Sequence, residues 1–156
     1  MGLDMYLSKK TYVKQWEHQG DDNFKVEVTK RGESVGHIKP ERISYIEEEV
    51  GYWRKSNQIH RWFVENVQNG EDDCGDYYVE ESQLEELLEL CKKVVDKPEL
   101  AEELLPSQSG FFFGGTEYDE WYFTDLKNTI DIIESLLSER NERGFIDGSI
   151  YYSSSW

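Results

Sequence analysis

Residues 51–63, GYWRKSNQIHRWF, gather two tryptophans, two arginines, a lysine, an asparagine and a histidine inside a chain of net charge −16. These residue types can hold something negative and flat. Arg54 can grip a phosphate or carboxylate through two hydrogen bonds, Lys55 adds a second cation, and Trp53 offers a ring face for stacking. Ser56 is placed to cap a helix over about 57–68 by accepting a bond from a free backbone N–H. Arg54 and Lys55 would then stand where the helix presents unpaired N–H groups and its positive dipole end. Asn57 and His60 fall on the first turn. Ile59, Phe63 and Val67 repeat at helical spacing and must face a core; Val64 extends that arc and His60 lies beside it. A packing account covers the same residues: Trp53 and Trp62 in the core, Arg54 paired with one of Glu47–Glu49, and His60 half-buried and hydrogen-bonded.

A second stretch, GFFFGGTEYDEWYF (110–123), places Gly114, Gly115 and Thr116 before a helix and follows them with Tyr118, Trp121 and Tyr122. The pattern lacks GxGxxG and the Lys-Ser/Thr ending of a P-loop. The plain expectation is a strand-to-helix turn with Thr116 as N-cap and the acidic residues of 117–120 favouring the dipole. The three aromatics exceed what one helix start needs for packing, and such residues mark binding surfaces. The expected ligand site is therefore Trp53, Arg54, Lys55, Asn57, His60, Tyr118 and Trp121.

Catalytic arrangements fare poorly. His18, His37 and His60 form no HExxH and no metal-ligand spacing. Cys74 sits among Asp72, Asp73 and Asp76, without an EF-hand's glycine and glutamate at their required places. No catalytic residue, metal or cofactor is expected, and the enzyme question stays open.

The charge is uneven. Residues 1–68 carry 11 acidic and 11 basic side chains, and residues 69–156 carry 22 and 6. Direct binding to duplex DNA is disfavoured, since phosphate contacts need a basic surface. The acidic half either keeps the chain soluble or imitates a polyanion for a basic partner. Aromatic residues make up 14% of the chain, which rules out global disorder. No apolar run approaches a membrane span and no signal peptide opens the chain. With Cys74 and Cys91 as the only cysteines, reduced thiols and a cytoplasmic setting are expected.

The elements that would position these residues read as one α+β domain over 1–156: a mostly antiparallel sheet with three to four helices packed on one face. LDMYLSKK is an opening strand. Residues 24–38 read as a hairpin turning at Arg31–Ser34 around Gly32. RISYIEEEVGYW (42–53) is a strand with Ile43, Tyr45 and Glu47 on one face and Ser44, Ile46 and Glu48 on the other. YYV (77–79) is a short strand. Ser82, with Glu85 as its capping-box partner, opens a helix over 83–96 whose buried face is Leu84, Leu87, Leu88, Cys91, Val94 and Val95. Pro98 opens a short helix. GFFFGG is rich in strand formers. A last helix over about 118–141 has the stripe Phe123, Leu126, Ile130, Ile133 and Leu137, and SIYYSSSW closes the chain as a strand.

MGLDMYL, GYWRKSNQIHRWFVENVQ (51–68), LLPSQSGFFFGGTEYDEWY (104–122) and the closing SSSW together resemble a family of small uncharacterised proteins of bacteriophages and bacterial genomes. The resemblance spans most of the chain. It implies a phage or mobile-element setting and the host cytoplasm, and it implies no activity. The leading expectation is a binding protein for a small anionic, ring-bearing ligand such as a nucleotide or cyclic nucleotide signal, in a phage setting a sequestering or anti-defence role. The alternatives are an acidic interaction protein that inhibits a host nucleic-acid enzyme, and an enzyme acting on a nucleotide-like substrate.

Overall fold

The computed structural model describes residues 2–156. Four strands form one antiparallel sheet: β1 (Asp4–Tyr12), β4 (Tyr45–Arg54), β5 (Tyr77–Val79) and β6 (Ser149–Ser155), in the order β4-β1-β6-β5. Helices α1 (Asn57–Asn66), α2 (Glu81–Asp96) and α4 (Glu120–Leu137) supply the other half of the core, with a one-turn α3 (Ala101–Leu104) between them. The α+β class and the antiparallel sheet agree with the sequence.

Strand alternation explains the layering. Leu3, Met5 and Leu7 on the β1 side, Trp53 on β4, Ile150 and Tyr152 on β6 and Val79 on β5 all turn inward and are buried. They meet Ile59 and Phe63 of α1, Leu84, Leu87, Cys91 and Val94 of α2, and Leu126, Ile133 and Leu136 of α4. The Phe63 and Tyr152 rings stack with centroids 3.9 Å apart and planes 6° from parallel, joining α1 to the sheet. Trp53 Nε1 donates to Thr129 Oγ1 at 2.9 Å, joining β4 to α4. Burial without a partner pushes the Cys91 thiol up to about 12, as befits a core residue.

Several boundaries differ from expectation. Residues 24–38 form only a two-residue ladder, β2 (Thr29–Lys30) with β3 (Glu33–Ser34), around a turn in which Arg31 and Gly32 both take positive φ. GFFFGG forms no strand; its backbone is held instead by Asn57, which donates to the Phe113 carbonyl, and by the Leu3 N–H, which donates to the Phe112 carbonyl. The capping box at α2 is Glu80 with Gln83, two residues before Ser82 and Glu85. Asp119, not Thr116, caps α4 by accepting from the Tyr122 N–H at 3.1 Å. Side chains that can cap recur in these segments, and the chain's entry direction selects one.

Replacing Phe63 with alanine should cost about 3–5 kcal/mol, since it empties the contact between α1 and β6. Urea unfolding should show a lower midpoint at unchanged slope.

Candidate functional site

The first turn of α1 is polar and buried: Ser56, Asn57, Gln58 and His60 are all nearly inaccessible. Each of the last three finds partners elsewhere in the fold, as buried polar groups must. Asn57 Nδ2 donates to the carbonyls of Phe113 at 3.1 Å and Gly115 at 2.8 Å, and its Oδ1 accepts from the Gln108 N–H at 2.9 Å. Asn57 thereby clamps the 108–115 segment against the helix. Gln58 Nε2 donates to the Tyr122 carbonyl at 3.3 Å.

That clamp makes one wall of a cleft of about 390 Å³ between the start of α1 and the start of α4. Arg54, Lys55, Asn57, Trp121, Tyr122 and Asp125 line it. Arg54 and Lys55 are exposed and enter no ion pair among the described residues. The packing account that tied Arg54 to the 47–49 carboxylates is not what the structure shows. The Trp121 indole, one turn from Asp125 on α4, is 77% exposed.

The backbone beside the cleft is locally strained. Lys55 (φ 56°) and Phe112 (φ 71°) occupy the left-handed region that bulky side chains avoid. Both are held through Leu3, whose carbonyl accepts from the Lys55 N–H at 2.7 Å and whose N–H donates to the Phe112 carbonyl at 3.2 Å. Gly114 (φ 86°) lies so close that a Cβ there would stand 3.1 Å from Lys55 Cβ.

Three carboxylates also line the cleft: Glu117, Asp119 and Asp125. Asp119 is committed to capping α4. Asp125 is half-buried, and desolvation raises its carboxyl from the ordinary 3.8 to about 6, against the downward pull of the neighbouring Gln58 and Ser56 side chains. Ser56 Oγ caps no backbone N–H, contrary to expectation, and has no bond of ordinary geometry; it lies beside Asp125 instead.

Of the expected residues, Arg54, Lys55, Asn57 and Trp121 converge on the cleft, and three stand apart. Trp53 is core. His60 is a buried link: Nδ1 lies 2.7 Å from the Tyr152 hydroxyl and Nε2 lies 2.9 Å from Asp72 Oδ2, while Asp72 Oδ1 accepts from Trp156 Nε1 at 3.0 Å. With both ring nitrogens engaged, His60 holds the 70–74 loop and β6 to α1 and reaches no ligand in the cleft. Tyr118 leans edge-on against Tyr122 and its hydroxyl accepts from the Ser107 N–H at 3.2 Å, so it supports the loop behind the cleft. Gln58 and Asp125 were missed, and Tyr122, legible as part of the aromatic group, was left out of the expected site. Asp125 sits four residues after Trp121 and so shares its helix face, a spacing that was readable.

Among the described residues no group of three or more His, Cys, Asp or Glu is placed to hold a metal. No described helix is long and apolar enough to cross a membrane. Comparison of the chain with protein-family models, curated proteins and solved structures returned no match.

Asn57→Ala should destabilise the fold by roughly 2–4 kcal/mol, because it leaves a buried amide N–H and two carbonyls without their partner. Hydrogen exchange should speed up across 108–115. Asp125 gives a pH signature. Its raised value means the folded state holds the proton more tightly than the unfolded chain does. Its contribution to stability is therefore present below about pH 4 and lost as the pH rises through about 6. Wild type minus Asp125→Asn stability, from urea titrations between these limits, should fall with rising pH; a flat difference would refute the assignment.

Proposed function

We infer that the cleft between α1 and α4 binds a small anionic, ring-bearing ligand of the nucleotide class. One observation carries this: in a chain of net charge −16, two exposed cations that enter no ion pair among the described residues, Arg54 and Lys55, line the same cleft as the exposed indole of Trp121. Carboxylates abound in the chain, yet none among the described residues pairs with these two cations. The cleft's volume falls within the range of small-molecule sites.

Each group has a part. Arg54 and Lys55 hold the phosphate at the positive end of α1. The base stacks on Trp121. Asp125 accepts from an amino or imino hydrogen on the base edge, a pairing that selects bases carrying such donors. With Glu117 and Asp119 also in the wall, a monophosphate or a cyclic phosphodiester fits better than a triphosphate, whose added charge the carboxylates would repel. In the setting implied by the resemblance to bacteriophage proteins, such a module sequesters a host nucleotide signal.

The test is a thermal-shift panel of nucleoside monophosphates, cyclic mono- and dinucleotides, and triphosphates. A ligand at one hundred times its Kd should add about 2.7 kcal/mol of stability, or roughly 5–10 °C in Tm for a chain of this size. Arg54→Ala/Lys55→Ala should abolish the shift without lowering the unliganded Tm, and Trp121→Ala should weaken binding by about 1–3 kcal/mol. No shift from any member of the panel would overturn the proposal.

A further inference from the structure

The helices cover one face of the sheet, and the other face is open. Asp4, Tyr6, Ser8, Lys10 and Tyr12 of β1 alternate onto it. The register brings Tyr52, Glu49, Glu47 and Tyr45 of β4 alongside them, Ser149, Tyr151 and Ser153 of β6 on the other flank, and Tyr78 of β5 at the far edge. Six tyrosines thus share one face. Tyr12, Tyr45, Tyr52 and Tyr78 are between 41% and 60% exposed. From ordinary strand spacing and rise the face spans roughly 500 Å². It is not flat: a groove of about 510 Å³ runs between Tyr45 and Glu47 on one side and Ser149 and Tyr151 on the other, across Lys10.

We propose that this open face docks a basic, arginine- or lysine-bearing segment of another protein. Charge is the first argument. The face carries Asp4, Glu47 and Glu49, with Asp76 at its edge, against Lys10 and Arg54. A second copy of the chain would bring the same acidic surface, and single-stranded nucleic acid would bring phosphates to it; both are repelled. The second argument is an internal example. Lys10 Nζ lies 4.5 Å from the centre of the Tyr151 ring and 3.8 Å from Asp76 Oδ2, a cation held by a tyrosine face and a carboxylate at once. Tyr45 beside Glu47, and Tyr52 beside Asp4, offer the same pair of groups to cations from outside. Tyrosines also supply wide, amphipathic contact at low entropic cost, the chemistry of protein-binding surfaces.

The probe is a fluorescein-labelled peptide of alternating arginine and glycine, followed by anisotropy in low salt. It should bind saturably and weaken steeply as salt rises. Tyr45→Ala/Tyr78→Ala should weaken it about tenfold through two lost cation–π contacts. Glu47→Gln/Glu49→Gln should weaken it by about the same factor. The control is Glu86→Gln/Glu89→Gln on the exposed side of α2, which removes the same two charges from another surface. It should change affinity by less than about twofold, because the screened field of a distant face acts weakly. All variants should keep the wild-type circular dichroism. An equal loss in the control would mean attraction to net charge alone and would overturn the proposal. So would absence of peptide binding, or tighter binding of oligouridine than of the peptide.

Discussion

The structure depends on burying the polar first turn of α1. Asn57, Gln58 and His60 enter the core side by side, and each would be costly there without hydrogen bonds. Their partners come from four separate parts of the chain: the 108–115 segment, the Tyr122 carbonyl at the start of α4, Tyr152 on β6 and Asp72 in the loop before β5. A single helical turn therefore specifies how the irregular segments lie. Phe63 and Tyr152 stack next to it and exclude water from the network.

The cleft is a consequence of that arrangement. The 108–115 segment has no regular structure of its own, and Asn57 holds it where Gly114 closes over Lys55. Gln58 draws the first turn of α4 toward the first turn of α1, which brings Trp121 and Asp125 opposite Arg54 and Lys55. Cations and carboxylates then share a wall without pairing, and the raised Asp125 carboxyl and the unpartnered Ser56 hydroxyl beside it are the local signs of that compromise.

The open face of the sheet depends on a different detail. Val50 is an extra residue in β4 opposite the step from Leu7 to Ser8 of β1. A bulge of this kind reverses the side-chain phase of one strand relative to its partner. On one side of it Tyr52 faces outward; on the other Glu49, Glu47 and Tyr45 do. Without the bulge Ile46 and Glu48 would share a face with Tyr52, and the tyrosine–carboxylate pairing of the open face would be lost. The glutamate run also lies on an edge strand, where charge discourages pairing with another chain.

Strand alternation in β1 and the leucine stripe of α2 are local periodicities, and periodicity alone places them on the correct side of the core; Tyr45 and Glu47 share a face by the same alternation, but only the bulge at Val50 turns that face outward. Arg54, Lys55 and Trp121 were likewise legible as site candidates, because cations and aromatics beside helix starts are visible by type and spacing. His60 stands away from the cleft, and Asn57, though it lines the cleft, is committed to the 108–115 segment, for one reason: a side chain's type states what it can bond, and only its neighbours in space decide what it does bond. Asp72 and Tyr152 lie 12 and 92 residues from His60 along the chain, a separation no local pattern reports. By itself the sequence determined the α+β class, the helix faces and the acidic imbalance, all of which follow from short-range pattern and composition. The tertiary structure decided which polar groups are internal and which remain open to solvent, because that depends on long-range hydrogen bonds competing for each side chain.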